Sequence, residues 1–417
     1  MMKMTIKFSI RLVFLISVGF LKAQSEGLTS SPYSLYGLGA INQTSIGAAN
    51  SMGYSGIGLR TDSGINNLNP ATYALIPQNS FFYDVGVVGE FNSFENQSDS
   101  ESKTTLNFSN LAFAFRIEER LGAGIALIPY SDVGYSLLGI QTNIEGSSEV
   151  FESNVTGLGG LNDLRVNMGY GPTEKLRLGL SASLLFGNIE ENEFLQVGSG
   201  SLEITETTNY SGFRFGFGAQ WDLTDKVTIG STVQLPVSLK GNLVRSANKT
   251  ILDSEIVVAE DEGGSVDDFK LPLELGFGLG VQLTDYLTMS ADYKKNFWND
   301  TNQTENIGAY QDQDVYAMGL EYVKNPLGRK YGERIRIRTG INYDNGYLAI
   351  NDRKIEGYNF TLGVGLPTGR FANSLLNLSY SYGSKGQIEN VLVQENYHVL
   401  TLNFSLEDLW FKKRKIN

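Results

Sequence analysis

Cysteine is absent, and there is one histidine among 417 residues. The first absence excludes a disulfide scaffold and a lipidated N-terminal cysteine. With His398 alone, a histidine-rich metal site or a Ser–His–Asp hydrolase has no material. No acid–base constellation stands out either, so neither a metal, a cofactor nor an enzyme is expected. Basic residues are few: 33 Lys and Arg face 45 Asp and Glu, for a net charge of −12. An acidic chain of this kind makes a poor nucleic-acid binder. No segment is apolar for long enough to cross a membrane as a helix, the run near the N-terminus included.

That run, 12–21, follows a basic stretch carrying Lys3, Lys7 and Arg11. It is too short to span a bilayer and reads as a secretory signal peptide over 1–23, cut after Ala23. Removing it leaves the chain still more acidic, because it contains Lys and Arg and no Asp or Glu.

What is present is aromatic. The chain holds 21 Tyr and 23 Phe, yet its mean hydropathy is −0.15. A barrel with one lipid-facing and one polar face per strand, and aromatics at both interfaces, explains the two facts together. Short connections fall at 118–121, 171–175, 222–226, 284–286, 325–332 and 367–373. Longer polar stretches fall near 95–105, 140–162, 188–205, 241–268, 299–313, 344–356 and 384–394. Short and long alternate strictly, with about fourteen strands of period-two alternation between them. The expected fold is therefore all-β: a 14-stranded antiparallel transmembrane β-barrel over 80–410, in the outer membrane of a Gram-negative bacterium. Short turns are expected on the periplasmic side. Outer-membrane lipids and lipopolysaccharide would then surround it.

The faces are legible. Leu376, Leu378, Tyr380 and Tyr382 fall on one side of a strand, with Asn377, Ser379 and Ser381 on the other. Leu400, Leu402, Phe404 and Leu406 repeat the pattern. Tyr316, Met318, Leu320 and Tyr322 point outward in another strand, placing Glu321 inward. Arg334, Arg336 and Arg338 share one face by period two and must avoid lipid. They are expected to pair with lumenal acids such as Glu321 and Asp292, or to form a cationic lumen ladder for an anion. The acidic run 253–268 lacks the spacing of a calcium loop and reads as a solvated loop. Gly276, Gly278 and Gly280 lie on one strand with no helix after them, so they are barrel glycines rather than a phosphate loop.

Residues 36–77 differ from all this. They are rich in Gly, Ala, Ser and Asn and do not alternate. Irregular backbone at membrane depth survives only where protein or water covers it. The segment 24–79 is therefore expected to be a small hatch inside the lumen, needed for gating rather than for closing the barrel.

These residues carry a resemblance. GLGAINQTSIGAANSMGYSGIG (37–58), then NLNPATYA (67–74) with Asn69, Pro70 and Ala71, is similar to the hatch of the FadL-like family of outer-membrane transporters for long-chain fatty acids and other hydrophobic compounds. WDLTDKVTIGSTVQLPVSLKGNL (221–243) and LPLELGFGLGVQLTDYLTMSADYKKNFW (271–298) extend it. The resemblance implies a fourteen-stranded barrel with a periplasmic-side hatch, and a kinked third strand that opens the wall sideways. In this chain the corresponding segment is 122–138. Pro129 lacks a ladder donor and Gly134 favours a bend, so the residues mark the same place as a weak point. The chain ends in Trp410, Phe411 and a basic periplasmic tail, 411–417. That tail resembles barrels of the Bacteroidota, some of whose FadL-like proteins are partners in secretion or assembly complexes.

Two functions follow as expectations. The first is passive uptake of a hydrophobic, fatty-acid-like small molecule, with hatch gating and lateral exit near the third strand. The alternative is a non-transporting accessory barrel that docks an envelope protein partner.

Overall fold

The computed structural model describes residues 29, 31–61, 63–143, 150–197, 200–251, 254–303, 308–368, 374–389 and 392–409. The signal peptide and the basic tail lie outside these residues. The chain forms a closed 14-stranded antiparallel β-barrel. Its strands are β1 (Ser80–Glu95), β2 (Ser100–Glu118), β3 (Leu121–Asn143), β4 (Val150–Tyr170), β5 (Leu176–Val197) and β6 (Gly200–Thr224). The interrupted strands β7 (Val227–Gln234, then Val237–Ile251) and β8 (Ser254–Leu271, then Glu274–Gln282) follow. The ring ends with β9 (Leu287–Asn296), β10 (Gln313–Val323), β11 (Arg336–Asp344), β12 (Gly357–Pro367), β13 (Leu375–Lys385) and β14 (Gln394–Leu409). Each strand pairs with the next, and β14 closes on β1 from Ser80↔Leu409 to Glu95↔Gln394. No helix among the described residues is long and apolar enough to cross a membrane; strands do the crossing.

Alternation places apolar side chains outside. Phe213, Phe215 and Phe217 of β6 are 68%, 54% and 47% exposed, while Asn377, Ser379 and Ser381 of β13 are buried inside. An outward apolar surface of this size is what lipid contact requires. His398 joins the outer aromatic belt, with Tyr380 Oη 2.7 Å from its Nδ1.

The stretches 95–105, 140–162, 188–205 and 241–268, expected as loops, are instead mostly strand. β6 runs for 25 residues and β11 for 9. At about 3.3 Å per residue, β6 is roughly 80 Å long, well beyond an apolar band about 25 Å tall. Polar composition misled here because a hairpin above the membrane satisfies its backbone strand to strand whatever its side chains are.

β7 and β8 break at facing points, Leu235–Pro236 and Pro272–Leu273, since Pro cannot donate to a ladder. Buried Arg214 bridges the break: its Nε donates to the Leu235 carbonyl at 2.9 Å and its Nη2 to the Pro272 carbonyl at 2.8 Å. Beyond it, the upper half of β8 pairs with β7 alone. The connections after β9 and β11 fold inward and pack on the same region. Gly308–Tyr310, Leu348–Ile350 and Arg353–Lys354 make a small separate sheet. Trp298, Tyr310 and Tyr347 stack beneath it at 5.2–6.1 Å between rings, packed on Leu38, Leu239 and Leu271.

Candidate functional site

The inner segment, residues 29–79, packs on the inward faces of the strands. Its short 3-10 turns lie at Pro32–Leu35, Gly47–Ser51 and Pro70–Leu75. At the short-turn end the wall meets it with glycines. A Cβ on Gly179 would sit 2.2 Å from the Ala71 nitrogen, and one on Gly218 2.2 Å from the Asn69 side chain. Gly230 and Gly280 press on Ile57 and Gly58, and Gly319 and Gly340 on Met52 and Gly53. Wall backbone and segment backbone are therefore in direct contact around the ring.

Polar side chains bolt the contact. Asn69 Nδ2 donates to the Ile57 and Ala219 carbonyls, each at 3.0 Å, while its Oδ1 accepts from the Ala71 N–H at 3.0 Å. Asn69 thus caps the turn that Pro70 opens, and Ala71 is small enough to lie fully buried against Gly179. Asp292 accepts from the Gly56 and Ile57 N–H groups at 2.6 and 2.9 Å. Arg116 donates to the Ala74 and Ile76 carbonyls at 3.1 and 2.5 Å. At the closing seam, Asp84 of β1 accepts from Asn110 and Asn403 at 2.7 and 2.8 Å and also from Ser405; Asn50 of the segment donates to Asn403 at 3.3 Å. Farther up, burial pushes the Tyr33 hydroxyl to about 12, so it stays protonated and donates to the Val393 carbonyl.

The arginine reading needs a correction. Arg336 and Arg338 lie on β11, facing in, and both grip Glu321, at 3.0 and 2.6 Å. Arg338, 1% exposed, also donates to Asn377 at 2.7 Å. Arg334 is not on the strand: the 3-10 turn Tyr331–Glu333 takes it as its C-cap, with helical dihedrals. Period two therefore does not extend back to it. Asp292 does not pair with an arginine, being spent on the inner segment.

The third strand behaves in a more specific way than expected. The β2–β3 ladder runs from Glu118↔Leu121 to Leu111↔Leu127 and stops. The β3–β4 ladder continues past it, with a register shift at Pro129/Ser131. So Pro129 marks a bulge, but Gly134 does not; it pairs in register with Leu158. Gly134 is needed because Thr29 lies where its Cβ would be, and its N–H donates to Ser34 Oγ at 3.1 Å. In place of β2, the inner segment pairs with β3: Ala40↔Asp132 and Ile41↔Ser131, with Asn42 Nδ2 on Asp132 at 2.7 Å. β3 thus leaves the wall to join the segment, and a gap opens beside the upper part of β2.

Behind the gap lies a cavity of about 230 Å³, reached past Asn107, Phe108 and Pro129. Its lining includes Glu90, Asp132, Asp344 and Glu395, with Lys385 as the cation. A second cavity of about 140 Å³ lies toward β4–β10, among Arg165, Arg214, Lys294 and Glu274. Among the described residues no group of His, Cys, Asp or Glu is placed to hold a metal ion. Sequence reading missed the girdle; its signal was glycine at alternate, inward positions on strand after strand.

Comparison with solved structures gives the same fold at low identity. The P. putida toluene transporter TodX shares 16% identity, with 88% of this chain and 99% of that one covered at a TM-score of 0.61. The R. pickettii toluene transporter TbuX shares 18%, over 89% and 100%, at 0.58. A P. aeruginosa FadL homologue shares 13%, over 87% and 98%, at 0.58. These neighbours are channels and transporters, not enzymes. No curated protein matches. The model of the BamG family matches residues 1–417, the whole length, and the chain therefore belongs to the BamG family.

Proposed function

We propose that this protein is an outer-membrane barrel acting as a non-transporting accessory subunit of a protein secretion or assembly complex. One observation carries the reading: among the described residues, the cavities beside the inner segment are small and carry charged side chains. Cavities that accept a hydrophobic compound are mostly apolar and roughly 300–1,000 Å³. The two cavities beside the inner segment measure about 230 and 140 Å³, and their linings mix charged and amide side chains with apolar ones such as Ile41, Phe108 and Leu348. The inner segment is held around the ring by backbone contact, so displacing it would break many buried hydrogen bonds at once. Short turns face the periplasm and tall hairpins the cell exterior; cysteine at Glu260 should label in intact cells and cysteine at Thr173 should not. Lipids and lipopolysaccharide surround the apolar belt.

A second reading is passive uptake of a hydrophobic, fatty-acid-like molecule, with the inner segment as hatch and lateral exit at the third strand. The β2–β3 gap favours it. Purification from native membranes in mild detergent separates the two. A stoichiometric envelope protein, with no solute flux in liposomes, is the expected result. A monomer carrying bound lipid or fatty acid, and conducting hydrophobic solutes, would replace the accessory reading with uptake.

A further inference from the structure

At the short-turn end, the connection between β10 and β11 stands apart. Residues 324–334 read KNPLGRKYGER and hold four cations, Lys324, Arg329, Lys330 and Arg334, against one acid, Glu333. The connections at 118–121, 171–175, 222–226, 284–286 and 367–373 carry net charges between −1 and +1, in a chain whose total is −12. The same turn presents Leu327, 88% exposed, and Tyr331, 50% exposed. A leucine this exposed adds nothing to the barrel's own burial, and only a partner surface would remove it from water.

The turn has a fixed shape. The Asn325 N–H donates to the Glu333 carbonyl at 2.8 Å, carrying the hairpin past the ends of both strands. Asn325 Oδ1 accepts from the Leu327 N–H at 3.1 Å, and its carbonyl from the Gly328 N–H at 3.0 Å. On the other side the 3-10 turn Tyr331–Glu333 closes the loop, and the Arg334 guanidinium lies 5.8 Å from the centre of the Tyr331 ring. A turn held this way loses little freedom on binding. The order of residues separates protein from lipid as the occupant. Tyr322 and Ile337, 43% and 57% exposed, end the outward apolar faces of β10 and β11. Lys324 and Arg334 follow, and Leu327 lies beyond both along the hairpin. A loop seated on a membrane surface points its apolar side chains toward the acyl chains and its cations toward water; here the cations come first and the leucine stands past them.

We propose that the 324–334 turn is the docking element for a periplasmic partner protein: Leu327 enters an apolar pocket of that partner, and the exposed Arg329 and Lys330 meet Asp and Glu side chains on the pocket's rim. The buried aliphatic anchor supplies affinity, and the charge complementarity sets orientation and the rate of encounter. A second copy of this chain fits poorly, since in the same membrane its short-turn end would stand at the same height and offer the same cations. The inference rests on the accessory-subunit reading and gives that partner a chemistry and a place.

The test uses the full-length protein in its native membrane. A p-benzoylphenylalanine photocrosslinker replaces Leu327, with Thr173 in another short turn as the control. Adducts are mapped to peptides by mass spectrometry, in the wild-type background, in the double variant Arg329→Glu with Lys330→Glu, and in the double variant Arg329→Gln with Lys330→Gln. The expected adduct from 327 is a peptide of another protein that mixes apolar with acidic residues, absent at 173. Its yield should fall about tenfold on charge reversal, as for the loss of one charge pair, and less in the Gln variant. Leu327→Asp, tested without the crosslinker, should abolish co-purification of the partner while leaving the barrel heat-modifiable, because the side chain is exposed. The Gln variant keeps the test informative should charge reversal prevent assembly. Adducts to lipid alone, to a second copy, or of yield insensitive to both double variants would overturn the proposal. If a stoichiometric partner co-purifies and stays bound in Leu327→Asp, docking through this turn falls and the accessory reading stands. If no partner co-purifies and every adduct is lipid, both fall.

Discussion

The short-turn end of the barrel and the wall beside β2 use the same inner segment in opposite ways. At the short-turn end the wall is complete, and its glycines remove side chains so that the segment can lie against backbone. Beside β2 the wall is incomplete, and the segment replaces a strand, lending Ala40 and Ile41 to β3. One contact is made by deleting Cβ atoms, the other by supplying hydrogen bonds. The first gives rigidity; the second lets β3 part from β2 beyond Leu127.

The strongest way to break this contrast is to remove the segment. Deleting 36–76 takes away the partners of Asp292, Arg116 and the girdle glycines together, and also the segment's link to the Asp84–Asn403 seam. The sequence alone suggested a barrel that closes without it. With these contacts in view, the expected outcome is loss of heat-modifiable barrel from outer membranes. Normal assembly would show that the glycines merely tolerate the segment.

The next largest effect belongs to the arginine pair. Arg338→Ala leaves the half-buried Glu321 and the buried Asn377 each short of a partner, at a cost of about 3 kcal/mol; Arg336→Leu keeps the Arg338–Glu321 bond and should cost clearly less. Arg334→Ala, off the strand, should cost least. Urea midpoints of the folded fraction, read by gel mobility, rank the three. Equal losses for Arg334 and Arg338 would restore a three-arginine ladder.

Glycine substitutions sharpen the girdle. Gly179→Val forces atoms into Ala71, and overpacking of this kind costs about 1–3 kcal/mol. Gly89→Ala, whose Cβ would find its nearest neighbour at 3.6 Å, should be neutral. Urea midpoints measure both, and similar values for the two would remove the argument from close approach.

The smallest effect is expected at the gap. Asn42→Ala removes one hydrogen bond to Asp132, worth about 1 kcal/mol. Its signature is local: faster hydrogen exchange at 131–134 of β3, with protection in β12 unchanged. Uniform loss across the barrel would instead make the gap part of the cooperative core.

Much of this was legible in the chain. Period two over Leu376–Tyr382 and Leu400–Leu406 predicts the outward faces, and the alternation of connections predicts strand number, because each side chain's face follows from its parity alone. Glu321 as a lumenal partner for arginine followed by the same rule. Other features did not follow. Arg334 has the right parity but sits in a turn, and the polar stretch 188–205 is hairpin rather than loop. Composition cannot separate a solvated loop from a solvated strand when both are polar.

The sequence by itself determined that these strands have a lipid face and a lumen face, how many there are, and that residues 36–77 cannot be one of them. Only the tertiary structure decided why glycine stands at 179, 218, 280 and 340, and that β3 leaves β2 at Leu127 to pair with residue 41. The physical reason is distance along the chain. Alternation is written in neighbours two residues apart, whereas a missing Cβ or an exchanged ladder partner has meaning only once segments a hundred residues away arrive beside it.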